Sequence, residues 1–334
     1  MDWITLHPNA EKPVSFQSQG SRFHVLPTEG SGRAASLYRK DLARLEGCLA
    51  QVKPDLVHAW GTEDVYGLAA VRSGRPHLLS LQGIMSYYAL RSRMHPRDYF
   101  QALLELYCLW KADWVSVESE WGRRILGWRR GNRPVAVVEY GVQAPFYETE
   151  WRPIPASPRA VFVGTVDSRK GVDSLVDAFA SLQTPGARLA IAGSGDPRWI
   201  KSLQRRDGGR VDWLGPQTRE QVRALMAEAW CLVLPTKADT SPNVVKEARV
   251  VGLPVITTPE GGQVAYIRNG KDGWLVPAGD GNALRVALEN LLGDFSKARA
   301  MGRAGMEKYR EIFRPSLTAK SFYQLYRRIL KLDQ

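Results

Sequence analysis

Short apolar runs of four to six residues recur along the chain, separated by longer stretches in which apolar residues return every three or four positions. Runs that short suit strands buried on both faces, whereas the longer pattern suits helices. In the first half, Asp55–Trp60, His77–Leu81, Trp114–Val117 and Pro134–Val138 read as strands. In the second half the strands are Ala160–Val163, Arg188–Ala192, Val211–Leu214, Cys231–Leu234 and Pro254–Thr257. Leu175, Val176, Phe179 and Leu182 fall on one face of a helix predicted from Val172 to Leu182. Strands alternating with helices predict parallel sheets with right-handed crossovers, an α/β fold. Four prolines, Pro145, Pro153, Pro155 and Pro158, mark a linker within residues 140–159. Two domains are therefore expected, 1–150 and 151–310, with a further helix over 311–334.

Length agrees with that division, because 334 residues exceed the usual size of one domain. Hydrophobic residues make up 44% and charged residues 24%, and no run of roughly 18 apolar residues could span a bilayer. The start Met1-Asp2-Trp3-Ile4-Thr5 lacks the basic and apolar regions of a signal peptide, so a cytoplasmic protein is expected. Cys48, Cys108 and Cys231 lie far apart in apolar contexts, which suits buried thiols rather than a disulfide or zinc framework.

The net charge of +12 is concentrated late in the chain: from Ser296 onward ten basic residues face three acidic ones. There Phe322, Leu325, Tyr326 and Leu330 recur at helical spacing within a helix expected from Lys297 to Lys331. A solvated basic face is the plain reading of that stretch. The alternative is peripheral contact with anionic lipid at the inner face of the membrane. Nucleic acid is not expected as a partner, since no binding motif is present and the aromatics are not interleaved with the charge.

Open parallel sheets bind ligands beyond the carboxyl ends of their strands. Beyond Val163 lies Gly164-Thr165-Val166-Asp167-Ser168-Arg169-Lys170-Gly171, a glycine turn that brings two cations to the next helix, as a diphosphate requires. Beyond Leu234, Ser241 and Pro242 read as a capping hydroxyl and a proline at the first helical position. The amides of that helix would form an anion site. Glu247 sits further along it among valines, where an acid needs a partner such as the paired hydroxyls of a ribose.

These residues resemble the retaining glycosyltransferases of family 4, with the GT-B fold of two facing Rossmann-like domains. The resemblance runs from about Asp55 to Leu292 and is strongest after Ala160. It rests on Gly164 through Lys170-Gly171, on two acids with seven residues between them, Asp239 and Glu247, and on Gly252-Leu253-Pro254-Val255-Ile256, Gly261-Gly262 and Gly273-Trp274-Leu275-Val276. It implies an acceptor-side N-terminal domain and a C-terminal donor domain, with the last helix returning to the first. It further implies that Glu247 holds the donor ribose, Lys170 the diphosphate, Asp239 the hydroxyls of the transferred sugar, and the amides of Asn243 and Val244 a phosphate. The implied activity is hexosyl transfer with retention and without a metal. No cofactor is expected, the donor being a UDP- or GDP-linked sugar and the acceptor a glycan, a lipid-linked sugar or a small molecule. Three departures stand out. Thr165 replaces an arginine, leaving Arg169 as the nearby substitute; Asp239 replaces a glutamate; and Gln82 stands where many members carry a histidine. The family's first strand, glycine loop and first helix precede a strand like Trp3-Ile4-Thr5-Leu6, so this domain is expected to lack them.

Plainer roles stand beside each assignment. Lys170 could be a solvated surface cation, Glu247 could pair with Arg249 or Lys246, and Asp239 could cap a turn. Gly193-Ser194-Gly195-Asp196-Pro197-Arg198 has two of the three glycines of a dinucleotide fingerprint, and Gly193 is assigned instead to the donor site through the resemblance. His58, Trp60 and Glu63, with Tyr87, Tyr88 and Arg91, are candidate acceptor contacts. Two alternatives to a glycosyltransferase are a non-catalytic GT-B-like binding or scaffold protein and a nicotinamide-dependent oxidoreductase.

Overall fold

The computed structural model describes residues 1–29, 33, 36–62, 64–90, 96–131 and 133–332, apart from the side chains of Arg97 and Trp128. The chain forms two compact units, one of Met1–Val117, Arg123–Val137 and Phe322–Gln334, the other of Glu118–Gly122 and Val138–Ser321. The proline-rich stretch is tied along the second unit. Val142 N–H donates to the Phe313 carbonyl (2.8 Å), Arg152 N–H to Ala227 (2.8 Å) and the Trp151 indole to Ala229 (2.7 Å).

The first unit opens with strands β1 (Asp2–His7), β2 (Val14–Ser18) and β3 (Ser21–Pro27), followed by helix α1 (Arg39–Val52). Then come β4 (Val57–Trp60), α2 (Tyr66–Arg72), β5 (His77–Leu81), α3 (Met85–Tyr88), α4 (Pro96–Lys111), β6 (Trp114–Val117), α5 (Glu120–Arg130) and β7 (Val135–Val137). Strands β4-β5-β6-β7 make a wholly parallel sheet, and β5 is buried at every position, as its unbroken apolar run requires. The first three strands form a separate mixed sheet of order β1-β3-β2. It turns Leu26, Ile4 and Leu6 toward Leu42, Leu45 and Cys48 of α1.

The second unit contains α6 (Ala144–Tyr147), β8 (Arg159–Val163), α7 (Val172–Ala180), β9 (Arg188–Ala192), α8 (Pro197–Gln204), β10 (Val211–Gly215), α9 (Arg219–Glu228) and β11 (Cys231–Leu234). It continues through α10 (Asn243–Val251), β12 (Val255–Thr257), a 3-10 turn over Gly262–Tyr266, β13 (Gly273–Leu275), α11 (Gly281–Leu292), α12 (Phe295–Ile312) and the start of α13 (Pro315–Ile329). Its six strands run parallel in the order β10-β9-β8-β11-β12-β13. The chain thus winds outward from β8 through β9 to β10, then returns to β11 on the other flank of β8. That reversal leaves a crevice at the carboxyl ends of β8 and β11, the usual ligand position of such sheets.

The single helix expected from Lys297 to Lys331 is instead two, α12 and α13. Pro315 opens the second one: it has no N–H to continue a helix and disfavours helical geometry at Arg314. Phe322, Leu325 and Ile329 of α13 are buried, so this apolar stripe is used internally, while Leu317 and Tyr323 are exposed alongside its charged residues.

Candidate functional site

Close backbone packing builds the crevice. Beyond β8, Gly164 N–H donates to the Ala192 carbonyl (3.0 Å) and Val166 N–H to Ser194 (2.8 Å), joining the loops that follow β8 and β9. Gly193 has φ 155°, and a Cβ there would lie 1.8 Å from the Gly164 carbonyl oxygen. Only glycine allows this approach. Gly171, at φ 73°, starts α7, and a Cβ on it would lie 2.1 Å from the Pro235 carbonyl oxygen, so the turn after β8 rests on the end of β11.

Lys170 projects from that turn, whose Asp167 carboxylate accepts the Lys170 N–H (2.7 Å). The Lys170 ammonium is ion-paired with the Asp239 carboxylate, so two of the predicted site residues, 69 positions apart in the chain, meet. Both are largely buried, at 14% and 13% side-chain exposure. Lys170 is therefore not a freely solvated cation, and Asp239 does more than cap a turn. Asp239 is itself fixed through its backbone: its N–H donates to the Glu260 carbonyl (3.2 Å) and its carbonyl accepts from Gly262 N–H (3.0 Å). Arg169 has a different position from Lys170. Its guanidinium donates to the Ala238 carbonyl (2.9 Å) and its carbonyl accepts from Lys237 N–H (2.7 Å), so it ties the two loops together. Thr165 is exposed on the turn.

The start of α10 corrects the sequence expectation. Pro242 is the capping position rather than the first helical residue, and no side chain caps the helix. Ser241 is buried, and its hydroxyl hydrogen-bonds the Tyr266 hydroxyl (2.8 Å) instead of the helix amides. The Asn243 and Val244 amides are consequently left without a side-chain cap. The α7 start, where Gly171 is the capping residue, likewise has no side-chain cap.

Glu247 lies on α10, half-buried, and no hydrogen bond to its carboxylate is found among the described residues. Burial pushes its pKa up to about 7, although Arg219 and Lys246 favour the charged form. Neither cation considered as its partner in the sequence is available. Arg249 is ion-paired with the buried Asp272 (2.9 Å), and Lys246 is held by Glu118 (3.1 Å), Glu139 (3.3 Å) and the Tyr140 carbonyl (3.1 Å).

That Lys246 network was not identified from the sequence. Glu139 also accepts from the Tyr266 hydroxyl (2.6 Å), which links the network to Ser241 and thus to the start of α10. Burial raises Glu118 to about 7 against the pull of Lys246. The available signal was a lysine on a helix with valines at 244, 245, 250 and 251, since a charge among so many apolar residues needs partners.

The turn after β9 carries no phosphate site of the dinucleotide kind. The Asp196 carboxylate accepts from the amides of Arg198 (2.7 Å) and Trp199 (3.0 Å), filling the α8 terminus with the protein's own anion. In the first unit, His58 is hydrogen-bonded to Tyr326 (2.7 Å) and Ser80 (2.6 Å), and burial lowers its pKa to about 4. It is therefore a neutral packing residue. Trp60 stacks on it at 4.6 Å, and Tyr87 is buried while Tyr88 is partly so. Glu63 and Arg91 lie outside the described residues.

Residues 157–294 match the sequence model of the family described as Glycosyl transferases group 1. The chain is 30% identical over 194 residues to a D-inositol 3-phosphate glycosyltransferase of Nocardia farcinica, covering 54% of this chain and 40% of that one. The chain spans about half the length of the curated relatives it matches. Among solved structures it resembles sucrose-phosphate synthase from Thermosynechococcus elongatus, with a TM-score of 0.85 and 24% identity over 99% of this chain and 89% of that one. It also resembles HepE of Anabaena in complex with UDP-glucose, with a TM-score of 0.73 and 18% identity over 91% and 85% of the two chains.

Proposed function

We propose that this chain, a member of the glycosyl transferases group 1 by its match over residues 157–294 and of GT-B fold, binds a nucleotide-sugar donor at the ends of β8 and β11 and transfers the sugar to an acceptor hydroxyl. The observation that carries this reading is the Lys170–Asp239 pair at the sheet's switch point. A donor entering there offers Lys170 a diphosphate in place of a carboxylate, and offers Asp239 sugar hydroxyls in place of an ammonium. The uncapped amides of Asn243 and Val244 supply further donors to a phosphate, and Glu247 accepts the paired ribose hydroxyls. A UDP- or GDP-linked hexose fits these roles, and the UDP-glucose bound by HepE supports the first.

Transfer proceeds with retention and without a metal ion. The acceptor oxygen forms a bond to the anomeric carbon on the face from which the diphosphate departs. The bond from that carbon to the phosphate oxygen breaks, and the acceptor proton passes to the departing oxygen. Lys170 and the α10 amides stabilise the charge developing on the diphosphate, so the protein's contribution is electrostatic rather than nucleophilic. A glycan, a lipid-linked sugar or a small molecule serves as acceptor. Titration with UDP, GDP and ADP tests the donor site. Binding of UDP or GDP is expected; no binding by any of the three would refute the reading and favour the non-catalytic scaffold.

A further inference from the structure

We propose that the outer face of α4 seats this protein on a bilayer containing anionic phospholipid. Tyr99, Leu103, Leu106, Tyr107 and Trp110 are each 41–65% exposed. At about 100° per residue their positions fall within one arc of about 100° on the helix. Inward-facing Ala102, Cys108 and Leu109 are buried, so α4 is apolar on both sides. An ordinary surface helix presents polar residues outward, and a contiguous exposed stripe of this composition marks an interaction surface.

Charge selects the occupant. The two acidic residues of α4 are withdrawn from the stripe: Glu105 is buried, accepting from Thr62 (2.9 Å), Met85 N–H (3.0 Å) and Ser86 N–H (2.9 Å), and Asp98 is partly buried. Cations border Trp110 instead. The Lys111 ammonium sits 4.2 Å from its ring centroid, and the exposed Arg133 donates to its carbonyl. Aromatic and aliphatic residues edged by cations match a membrane interface, with rings at headgroup depth and ammonium or guanidinium groups against phosphate. With 16 residues, α4 lies in the interface rather than crossing it, and no described helix is long and apolar enough to span a membrane. The C-terminal basic region offers no comparable stripe: Phe322, Leu325 and Ile329 are buried, and its exposed Leu317 and Tyr323 lie about 120° apart around α13. This inference does not rest on the donor-site reading.

Cosedimentation with vesicles of phosphatidylcholine, with and without phosphatidylglycerol, tests it. The wild type is expected to bind the phosphatidylglycerol vesicles, less so in high salt. The double variant L103Q/W110Q should bind at least about tenfold more weakly with an unchanged melting temperature, since two exposed apolar groups are removed. The variant K111Q/R133Q should keep residual binding but lose the preference for phosphatidylglycerol. Three results would overturn the proposal: no vesicle binding by the wild type, equal binding by L103Q/W110Q, or a wild-type dimer that L103Q/W110Q dissolves in light scattering.

Discussion

Replacing Glu247 by glutamine probes stability and donor binding through one atom pair. The folded pKa of about 7 lies above the ordinary 4.5, so the folded chain holds this proton more tightly than the unfolded chain does. The stability contribution is then complete below about pH 4.5 and lost as pH rises through 7. At 1.36 kcal/mol per pH unit the loss is worth about 3 kcal/mol by pH 8. Glu247→Gln, which cannot ionise, should therefore unfold in urea at a free energy up to about 3 kcal/mol higher than wild type at pH 8, with the gap closing below pH 4.5. Donor affinity should move the other way. A carboxylate accepting two ribose hydroxyls gains about 1.5–3 kcal/mol per charged hydrogen bond, and glutamine retains one acceptor oxygen, so affinity should fall about tenfold to a hundredfold. In the wild type the empty site must release its proton to bind, so affinity for a nucleotide sugar should rise about tenfold from pH 6 to pH 8. Calorimetry with the nucleotide sugar rather than the free diphosphate is the suitable assay, because a terminal phosphate titrates near pH 6 and would obscure the profile. Equal affinity for wild type and variant, with the same flat pH profile, would refute the ribose role.

Lys170→Ala should weaken nucleotide binding about tenfold or more by removing the diphosphate cation, whereas Asp239→Ala should leave nucleoside diphosphate affinity intact or improved and abolish turnover. Calorimetry and a turnover assay on both variants separate the two roles. Gly193→Ala should cost about 2–3 kcal/mol in urea unfolding, because the added methyl meets the Gly164 carbonyl in a backbone conformation that disfavours it. Lys246→Met should cost about 3–5 kcal/mol at pH 8, since two carboxylates are left without their shared cation. That cost should shrink at pH 6, where Glu118 takes up a proton.

Strands buried on both faces were the most legible part of the fold: β5, β6, β9 and β11 lie where their apolar runs place them. The hairpin of β2 and β3 escaped that criterion because β2 is exposed throughout. Its signal was Gln19-Gly20, a two-residue turn with φ 47° and 75°, both positive as such hairpins need. At the site, Lys170 and Asp239 were visible as residues but their contact was not, since nothing local encodes a pairing across 69 positions. The start of α10 was misplaced because Ser241 followed by Pro242 is a sound local cap, and tertiary structure overrode it: Tyr266 takes the hydroxyl. The partners of Lys246 stand 128 and 107 positions away, beyond any local pattern.

Release of nucleoside diphosphate from a panel of UDP- and GDP-linked sugars, with crude glycan and lipid acceptors and a metal chelator, tests sugar transfer most directly. The account predicts turnover with at least one donor, undiminished by the chelator, retained in configuration at the anomeric carbon and lost in Lys170→Ala. Turnover that Lys170→Ala leaves at the wild-type rate, or a product of inverted configuration, would contradict it.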